Sequence, residues 1–251
     1  MTERAGSGDD QGVADPPPAY TDHDLRRGKR REARWPPAVA VLIAVALYAL
    51  LPQSLTIGPR WLIPGLEIVL LVVVLATDPH RVDRRSRASR VASLLMILLI
   101  VAGNLVALAL LVHGLVDGQA SDGGELLVAG LQVWATNVIA FAMAYWELDR
   151  GGPVARVSTE REHLPLADFR FTQDETQDCV VEVASGSSQR SDWIPTFVDY
   201  LYLSTTNSSA FSPTDTMPLT SRAKMLMGLQ ATAALLTSLL VVARAVGALG
   251  G

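Results

Sequence analysis

Long, nearly uninterrupted apolar runs are the feature that most limits what this chain can fold into. Hydrophobic residues make up 49% of its 251 residues, and they come in blocks rather than alternating with polar residues. A helix of about 17 to 25 such residues crosses the hydrocarbon core of a bilayer, whereas helices of soluble proteins are seldom apolar on every face. The blocks therefore predict an all-α fold, a polytopic membrane helical bundle.

The apolar runs predict about six transmembrane helices. Four of them fall within residues 35–146, at about 36–55, 61–77, 91–116 and 125–146. The closing region 192–251 holds two more, at about 193–211 and 222–247. The run at 193–211 is the weakest, because Pro195, Asp199 and several hydroxyl residues interrupt it. A re-entrant segment therefore stays open as the alternative to a full crossing there.

The N-terminal tail, residues 1–34, has almost no large apolar side chains and is predicted to be disordered. Six basic residues lie immediately before the first apolar run: Arg26, Arg27, Lys29, Arg30, Arg31 and Arg34. Basic clusters beside a membrane helix are attracted to anionic lipid headgroups. We therefore expect the lipid bilayer and these headgroups, and not nucleic acid, as partners of the chain.

Basic residues also predict the orientation of the bundle. Besides the tail, the segment between the second and third runs is rich in arginine: Arg81, Arg84, Arg85, Arg87 and Arg90. The alternate loops hold only Arg60, or no basic residue at all. The positive-inside rule predicts a multi-pass protein of the cell membrane with a cytoplasmic N-terminus. Residues 147–191 then form a cytoplasmic loop, with a small packed element around Phe169 and Phe171.

The sequence contains few of the residue patterns that are typical of a catalytic site in a soluble domain. The chain has one cysteine, Cys179, and four scattered histidines without metal-ligand spacing. No nucleophile, metal or acid–base constellation stands out. We therefore expect no metal, no cofactor and no enzymatic activity.

Polar residues within the apolar runs are the candidates for function, because such residues are costly in a membrane unless they are paired. The candidate polar path consists of Glu67, Asn137, Asp199, Thr205, Thr206, Asn207 and Asp215. For amides such as Asn137, the alternative is a structural hydrogen bond between helices. Glu67 differs from the amides, because a carboxylate at that depth must find a donor, water or a proton.

Two stretches resemble known membrane proteins. They read TNVIAFAMAYWELDRGGP and DYLYLSTTNSSAFSPTDTMPLTSRAKMLMGLQ, the latter followed by VVARAV. Together they resemble an uncharacterised family of bacterial polytopic membrane proteins, known only as a domain of unknown function. The resemblance covers roughly the membrane part of the chain and implies a fold, not a reaction.

The second stretch is also similar to the pore loop and inner helix of potassium-channel-like proteins. Thr205 and Thr206, Phe211, Asp215, and Pro218 to Thr220 match the surroundings of their filter, but Asn207 to Ala210 stand where the filter region would lie, and its glycines are missing. Glycines give a filter the backbone conformations that align its carbonyls. Their absence argues against a selective potassium pore, and the predicted orientation favours a fifth crossing helix.

Two classes of function follow from these observations. The first is a transporter or channel-like protein with a polar path through the last two helices. The alternative is a non-transporting membrane scaffold, which binds partners through its basic cytoplasmic surfaces. The sequence leaves the oligomeric state open, including a homo-oligomer.

Overall fold

The computed structural model describes residues 35–56, 58–76, 87–116, 123–175, 193–209 and 215–249. The predicted tail 1–34, with its six basic residues, lies outside these ranges, as do Arg81, Arg84 and Arg85. The described residues are mostly helical, as the apolar runs predicted. Their helices are α1 Trp35–Ala49, α2 Leu62–Ala76, α3 Arg87–Val116, α4 Gly123–Leu148, α5 Pro153–Ser158, α6 Phe197–Ser209 and α7 Ser221–Leu249. Their strands are β1 Phe169–Arg170 and β2 Met217–Pro218.

Three of these helices, α3, α4 and α7, are long and apolar enough to cross a membrane. Helices α1 and α2 are also apolar but have 15 residues each. That length gives a rise of about 22 Å, less than the roughly 30 Å of a hydrocarbon core. The six predicted crossings thus correspond to three long helices, two shorter apolar helices and the still shorter α6.

Most helix limits agree with the sequence predictions to within four residues, and α1 differs most. The run at 36–55 predicted one helix, whereas α1 ends at Ala49 and a separate 3-10 turn follows at Gln53–Leu55. Pro52 explains the break, because proline has no backbone N–H and keeps the preceding residue out of the helical region.

Helix α4 lies at the centre of the bundle and packs against α1, α3, α6 and α7. Helix α3 runs antiparallel to it, because Asn104 pairs with Asn137 while Leu111 lies opposite Gly130. Small side chains let α1 approach closely, with Ala40, Ala44 and Val41 in one apolar cluster with the middle of α4. Helix α2 packs on the far side, against α1 and α3.

Helix α7 also runs antiparallel to α4. Arg222, in its first turn, donates to the carbonyl of Leu148 at the end of α4. Further along, the space beside Gly130 near the start of α4 is filled by Val241. A Cβ atom on Gly130 would lie 2.6 Å from Val241 Cγ2, so the glycine is what permits this close approach.

Helix α6 runs in the same direction as α7. The ring of Phe197 at its start lies against Trp146, near the end of α4, and Ser208 near its end accepts a hydrogen bond from Trp134. Helix α6 is therefore antiparallel to α4, as α7 is. It has 13 residues instead of the 19 predicted at 193–211, and it ends beside the middle of α4 rather than beside its start.

Residues 149–175 form a packed cap over the end of α4. Phe169 and Phe171 are buried there, as the sequence predicted, and make edge-on contacts with Tyr145, Tyr200 and Trp193. The strand β1 pairs antiparallel with β2, which comes just before α7. The chain turns into the cap through Arg150, Gly151 and Gly152, all with positive φ (50°, 80° and 92°). Two of these three positions are glycines because such φ values strain other residues.

Candidate functional site

One glutamine joins α4, α6 and α7. The Gln230 side chain is fully buried on α7. Its Oε1 accepts hydrogen bonds from the Tyr145 hydroxyl (2.5 Å) and from Asn207 Nδ2 (2.8 Å). Its Nε2 donates to the hydroxyls of Ser204 (2.6 Å) and Ser208 (2.8 Å). We call these five side chains the Gln230 network.

The network uses both ends of its central amide. A carboxamide has two acceptor lone pairs and two N–H donors, and Gln230 engages all of them. Ser204 in turn donates to the carbonyl of Val138 on α4 at 2.6 Å. Asn137 extends the network toward α3, because it donates to the carbonyl of Gln230 and accepts from Asn104 at longer distances, 3.4 and 3.5 Å. A satisfied network of this kind fixes one arrangement of the three helices.

The opposite face of α6 carries hydroxyl groups that do not point into the network. Tyr202 and Ser209 are exposed on this face, and Thr205 and Thr206 are half-buried. We call these four residues the hydroxyl face. Three of the hydroxyls donate to helix carbonyls: Thr205 to Leu201 (2.7 Å), Thr206 to Tyr202 (3.0 Å) and Ser209 to Thr205 (2.5 Å).

Such back-bonded hydroxyls present their oxygens, not their hydrogens, to the outside. A hydroxyl has one donor and two acceptor lone pairs, so Thr205, Thr206 and Ser209 keep acceptor capacity after donating. The C-terminal end of a helix also carries a partial negative charge. The only charged residue of α6 is Asp199 at its start. The last turns of α6 therefore form a surface that suits a cation or a hydrogen-bond donor.

A group of charged side chains holds the cap to the helices. Asp149 is completely buried, and its carboxylate accepts hydrogen bonds from the Tyr200 hydroxyl (2.6 Å) and from the backbone N–H of Asp168 (2.7 Å). Arg156 lies over the Tyr200 ring, 5.0 Å from its centroid, and donates to the carbonyls of Trp146 and Asp149. Asp149 and Arg156 thus tie the start of α6 to the end of α4.

Asp168 makes the equivalent connection to α7. Its carboxylate pairs with Arg222 and accepts from the Thr220 hydroxyl, and its carbonyl accepts from the N–H of Leu219 at 2.8 Å. The cap therefore fixes the start of α7 as well as the start of α6. Both helices leave the cap in the same direction because both are held at their first turns.

The structure brings together only part of the predicted polar path. Asn137 and Asn207 meet at Gln230, whereas Thr205 and Thr206 lie on the hydroxyl face, the opposite face of α6. Asp199 lies in the first turn of α6, where it accepts from the N–H and hydroxyl of Thr196 (2.7 and 2.8 Å) as a helix cap. Asp199 therefore makes its contacts at the start of α6 and takes no part in the network.

Asp215 and Glu67 also lie away from the network. Asp215 is exposed in the segment that leads to β2, beside the cap. Glu67 is buried on α2, whose neighbours are α1 and α3. The structure thus separates the seven predicted residues into four groups: the two amides that contact Gln230, the two threonines of the hydroxyl face, two carboxylates at the cap, and the carboxylate of α2.

The sequence prediction missed Gln230, the centre of the network. A signal was present, because Gln230 is the one amide residue of α7, in a run of mostly apolar residues. The charged residues of the cap were missed for a different reason. Asp149, Arg156 and Asp168 lie in a polar loop where charges are common, and only the fold shows that they are buried.

Comparisons with known proteins add no assignment to this geometry. No protein-family model, no curated protein and no solved structure matches the chain. Within the part of the chain that the structure describes, no group of three or more His, Cys, Asp or Glu side chains is placed to hold a metal ion. The resemblances noted in the sequence stay predictions.

Proposed function

We propose that the chain is a channel-like integral membrane protein that passes a small cation along the hydroxyl face of α6. In this proposal α3, α4 and α7 cross the membrane, and the shorter α1 and α2 cross where the bilayer thins locally to match their length. Helix α6 enters and returns to the side it came from. The observation that carries this proposal is the shared direction of α6 and α7, because the first turn of each helix contacts the cap or the end of α4 and both helices run back along α4.

A helix that enters a bilayer without crossing it has one end at membrane depth. Its 13 residues rise about 20 Å, and its end lies beside Trp134, halfway along α4. Irregular backbone and polar groups are tolerated at that depth only beside protein or water. The Gln230 network covers one side of α6 with protein. The hydroxyl face lies on the other side, and we therefore expect it to contact water.

The preference for a cation follows from the same surface. The hydroxyl hydrogens of Thr205, Thr206 and Ser209 are used within α6, which leaves their oxygen lone pairs outward, and the helix end adds partial negative charge. Ends of broken helices serve in this way as cation ligands in transporters. No lysine or arginine lies on α6 to oppose a cation.

Five crossings place the N-terminus and the C-terminus on opposite sides of the membrane. With the N-terminus in the cytoplasm, the cap is cytoplasmic and the C-terminus is external, whereas six crossings would leave both ends inside. Single cysteines at Glu160 in the cap and at Gly251, each in a Cys179→Ser chain, distinguish these cases. A membrane-impermeant maleimide should label Gly251→Cys on intact cells and Glu160→Cys only after the membrane is opened. Labelling of both only after opening would restore the six-crossing arrangement.

Cation flux tests the path itself. The purified protein is placed in lipid vesicles, and the release of potassium or sodium is followed. The double variant Thr205→Val, Thr206→Val keeps the side-chain shape but removes two outward oxygens. We expect its flux to fall by tenfold or more, since one hydrogen bond to a charged group is worth about 1.5 kcal/mol or more.

Thr232→Val on α7 is the matched control. Thr232 is also exposed and donates to a carbonyl four residues earlier, Gly228, but it lies on a different helix. Its flux should equal that of the unaltered protein. Equal loss in both variants would show that the effect is not specific to the hydroxyl face and would contradict the path along α6, and an absence of flux in the unaltered protein would contradict the channel-like function.

The second candidate is the membrane scaffold, and the saturated Gln230 network favours it. The central amide of Gln230, whose every donor and acceptor is engaged, leaves nothing for a passing solute and rigidifies the bundle. Binding would then use the basic residues of the tail and their attraction to anionic lipid or acidic partners. Capture of anionic vesicles that is lost on deleting residues 1–34, without any cation flux, would support this function.

A further inference from the structure

Glu67 is a buried carboxylate apart from the Gln230 network. It is 2% exposed, and its Oε2 atom is buried without a hydrogen-bond partner among the described residues. It lies on the inward stripe of α2 with Pro64 and Leu71, the other two buried residues of that helix. The outward neighbours on α2, among them Leu66, Val69 and Val72, are exposed apolar side chains.

The surroundings of Glu67 are apolar along the helix in both directions. One turn before it, Ile63 packs into the apolar cluster around Tyr48 and Leu108. One turn after it, Leu70 and Leu71 belong to the cluster around Ile97 and Ala140. Glu67 therefore interrupts a continuous contact between apolar residues, where burial of an unpaired carboxylate is very costly.

The ionisable groups of the helices that pack against α2 are few. Helix α1 contributes Tyr48, and α3 contributes Arg87 and Arg90 in its first turn and His113 near its end. Arg60 precedes α2, but its Nη2 donates to the carbonyl of Leu51 at 3.2 Å. Helix α2 itself has no other charged residue. No salt bridge to Glu67 is found among the described residues, so the charge must be removed in another way.

We propose that Glu67 is a proton-binding site, and that its bound proton allows α2 to pack against α1 and α3. A proton converts the carboxylate to a neutral acid, which removes the cost of a buried charge. The site does not depend on the proposed cation path, because α2 packs against α1 and α3, whereas the hydroxyl face belongs to α6. Failure of one proposal leaves the other in place.

Labelling by dicyclohexylcarbodiimide tests the proposal, because this apolar reagent adds to protonated carboxyl groups in places from which water is excluded. The full-length protein is labelled in lipid vesicles at neutral pH, digested with trypsin and analysed by mass spectrometry. We expect the adduct on the fragment from Trp61 to Arg81, with a yield that falls as the pH is raised. The fragment also holds Asp78, so Glu67→Gln must abolish the adduct to assign it.

Glu125 provides the matched control, since it is an exposed carboxylate at the start of α4. A water-soluble carbodiimide with an amine should label Glu125 and not Glu67, and Glu125→Gln should leave the dicyclohexylcarbodiimide adduct unchanged. An unlabelled Glu67, or labelling of Glu67 by the water-soluble reagent, would overturn the proposal. The infrared band of a protonated carboxyl group, present in the protein and lost in Glu67→Gln, gives an independent readout.

Discussion

Gln230 and Glu67 are both fully buried polar residues on apolar helices, yet their surroundings are opposite. Gln230 has a partner for every donor and acceptor of its amide, drawn from α4 and α6. Glu67 has a buried oxygen without a partner among the described residues. Two buried polar residues can thus have different roles. A satisfied amide fixes the neighbouring helices, whereas an unsatisfied carboxyl group such as Glu67 is suited to bind a proton.

The contrast extends to whole regions of the molecule. Around α4, α6 and α7, buried carboxylates such as Asp149 and Asp168 accept hydrogen bonds from the backbone and from hydroxyls. Where α2 packs against α1 and α3, the neighbouring clusters are apolar and Glu67 is isolated. A polar region of this kind specifies how its helices are arranged, because few other packings would satisfy all its partners.

The largest loss of stability is expected at Gln230. Replacing it with leucine leaves the Tyr145 hydroxyl, Asn207 and Ser208 without their buried partner. Each unsatisfied group costs about 1–3 kcal/mol, so we expect Gln230→Leu to lower the free energy of unfolding by about 3 kcal/mol or more. Thermal unfolding of the detergent-solubilised protein, followed by circular dichroism, measures this loss.

Gln132→Leu is the corresponding change at an unsatisfied amide. Gln132 lies on α4, and its Oε1 atom is buried with no hydrogen-bond partner among the described residues. Its replacement should cost nothing and can stabilise the protein by about 1 kcal/mol. Equal losses at Gln132 and Gln230 would show that the Gln230 network adds no stability beyond the bulk of the side chain.

Replacing each acid with its amide compares how much the carboxylate charges of Asp149 and Glu67 contribute to stability. The Asp149 carboxylate accepts hydrogen bonds from the Tyr200 hydroxyl and from two backbone N–H groups. In Asp149→Asn, one carboxylate oxygen becomes an amide nitrogen and the other becomes a weaker, uncharged acceptor. Hydrogen bonds to charged groups are worth about 1.5–3 kcal/mol, and we expect a loss of about 2 kcal/mol. Faster proteolysis of the cap should accompany the lower unfolding temperature.

The same change at Glu67 should have a much smaller effect. Glutamine has nearly the shape of a protonated glutamate, so Glu67→Gln should alter the free energy of unfolding by less than about 1 kcal/mol. Glu67→Lys, which forces a charge into the same place, should be far more damaging. A loss in Glu67→Gln as large as that in Asp149→Asn would indicate that Glu67 is paired as a carboxylate.

The long apolar helices could be predicted from the sequence because hydropathy alone defines them. Helices α2, α3, α4 and α7 begin and end within four residues of the predicted runs. The break after Ala49 was also readable in principle, since Pro52 cannot continue a helix. These features are local, and each depends on residues that are close in the sequence.

The direction of α6 could not be predicted in the same way. It depends on contacts over long separations, such as the bond from Ser204 to Val138 and the pairing of Asp168 with Arg222. Hydropathy at 193–211 is the same whether the segment crosses or returns. Likewise, Asn137 was recognised as a polar residue within an apolar run and Asn207 as part of the polar segment at 193–211. Their common partner Gln230 follows only from the packing of three helices.

The smallest expected changes in the free energy of unfolding come from replacing two glycines, one in each region. Gly130 lies where α4 meets α7, and an added Cβ atom would come within 2.6 Å of Val241 Cγ2. Gly65 lies on α2, where an added Cβ atom would meet no heavy atom within 4 Å. Overpacking costs about 1–3 kcal/mol, so Gly130→Ala should lower the free energy of unfolding by about 1 kcal/mol. Gly65→Ala should raise it by up to about 1 kcal/mol, because alanine favours a helix.

Combining Gly130→Ala with Val241→Ala tests the cause of that loss. If the contact between the two side chains is responsible, the double variant should be more stable than the sum of the single changes predicts. Strict additivity would mean that Gly130 is needed for a reason other than the approach of α7. The region around α4 would then owe its rigidity to the Gln230 network and the cap, with no share from close backbone packing.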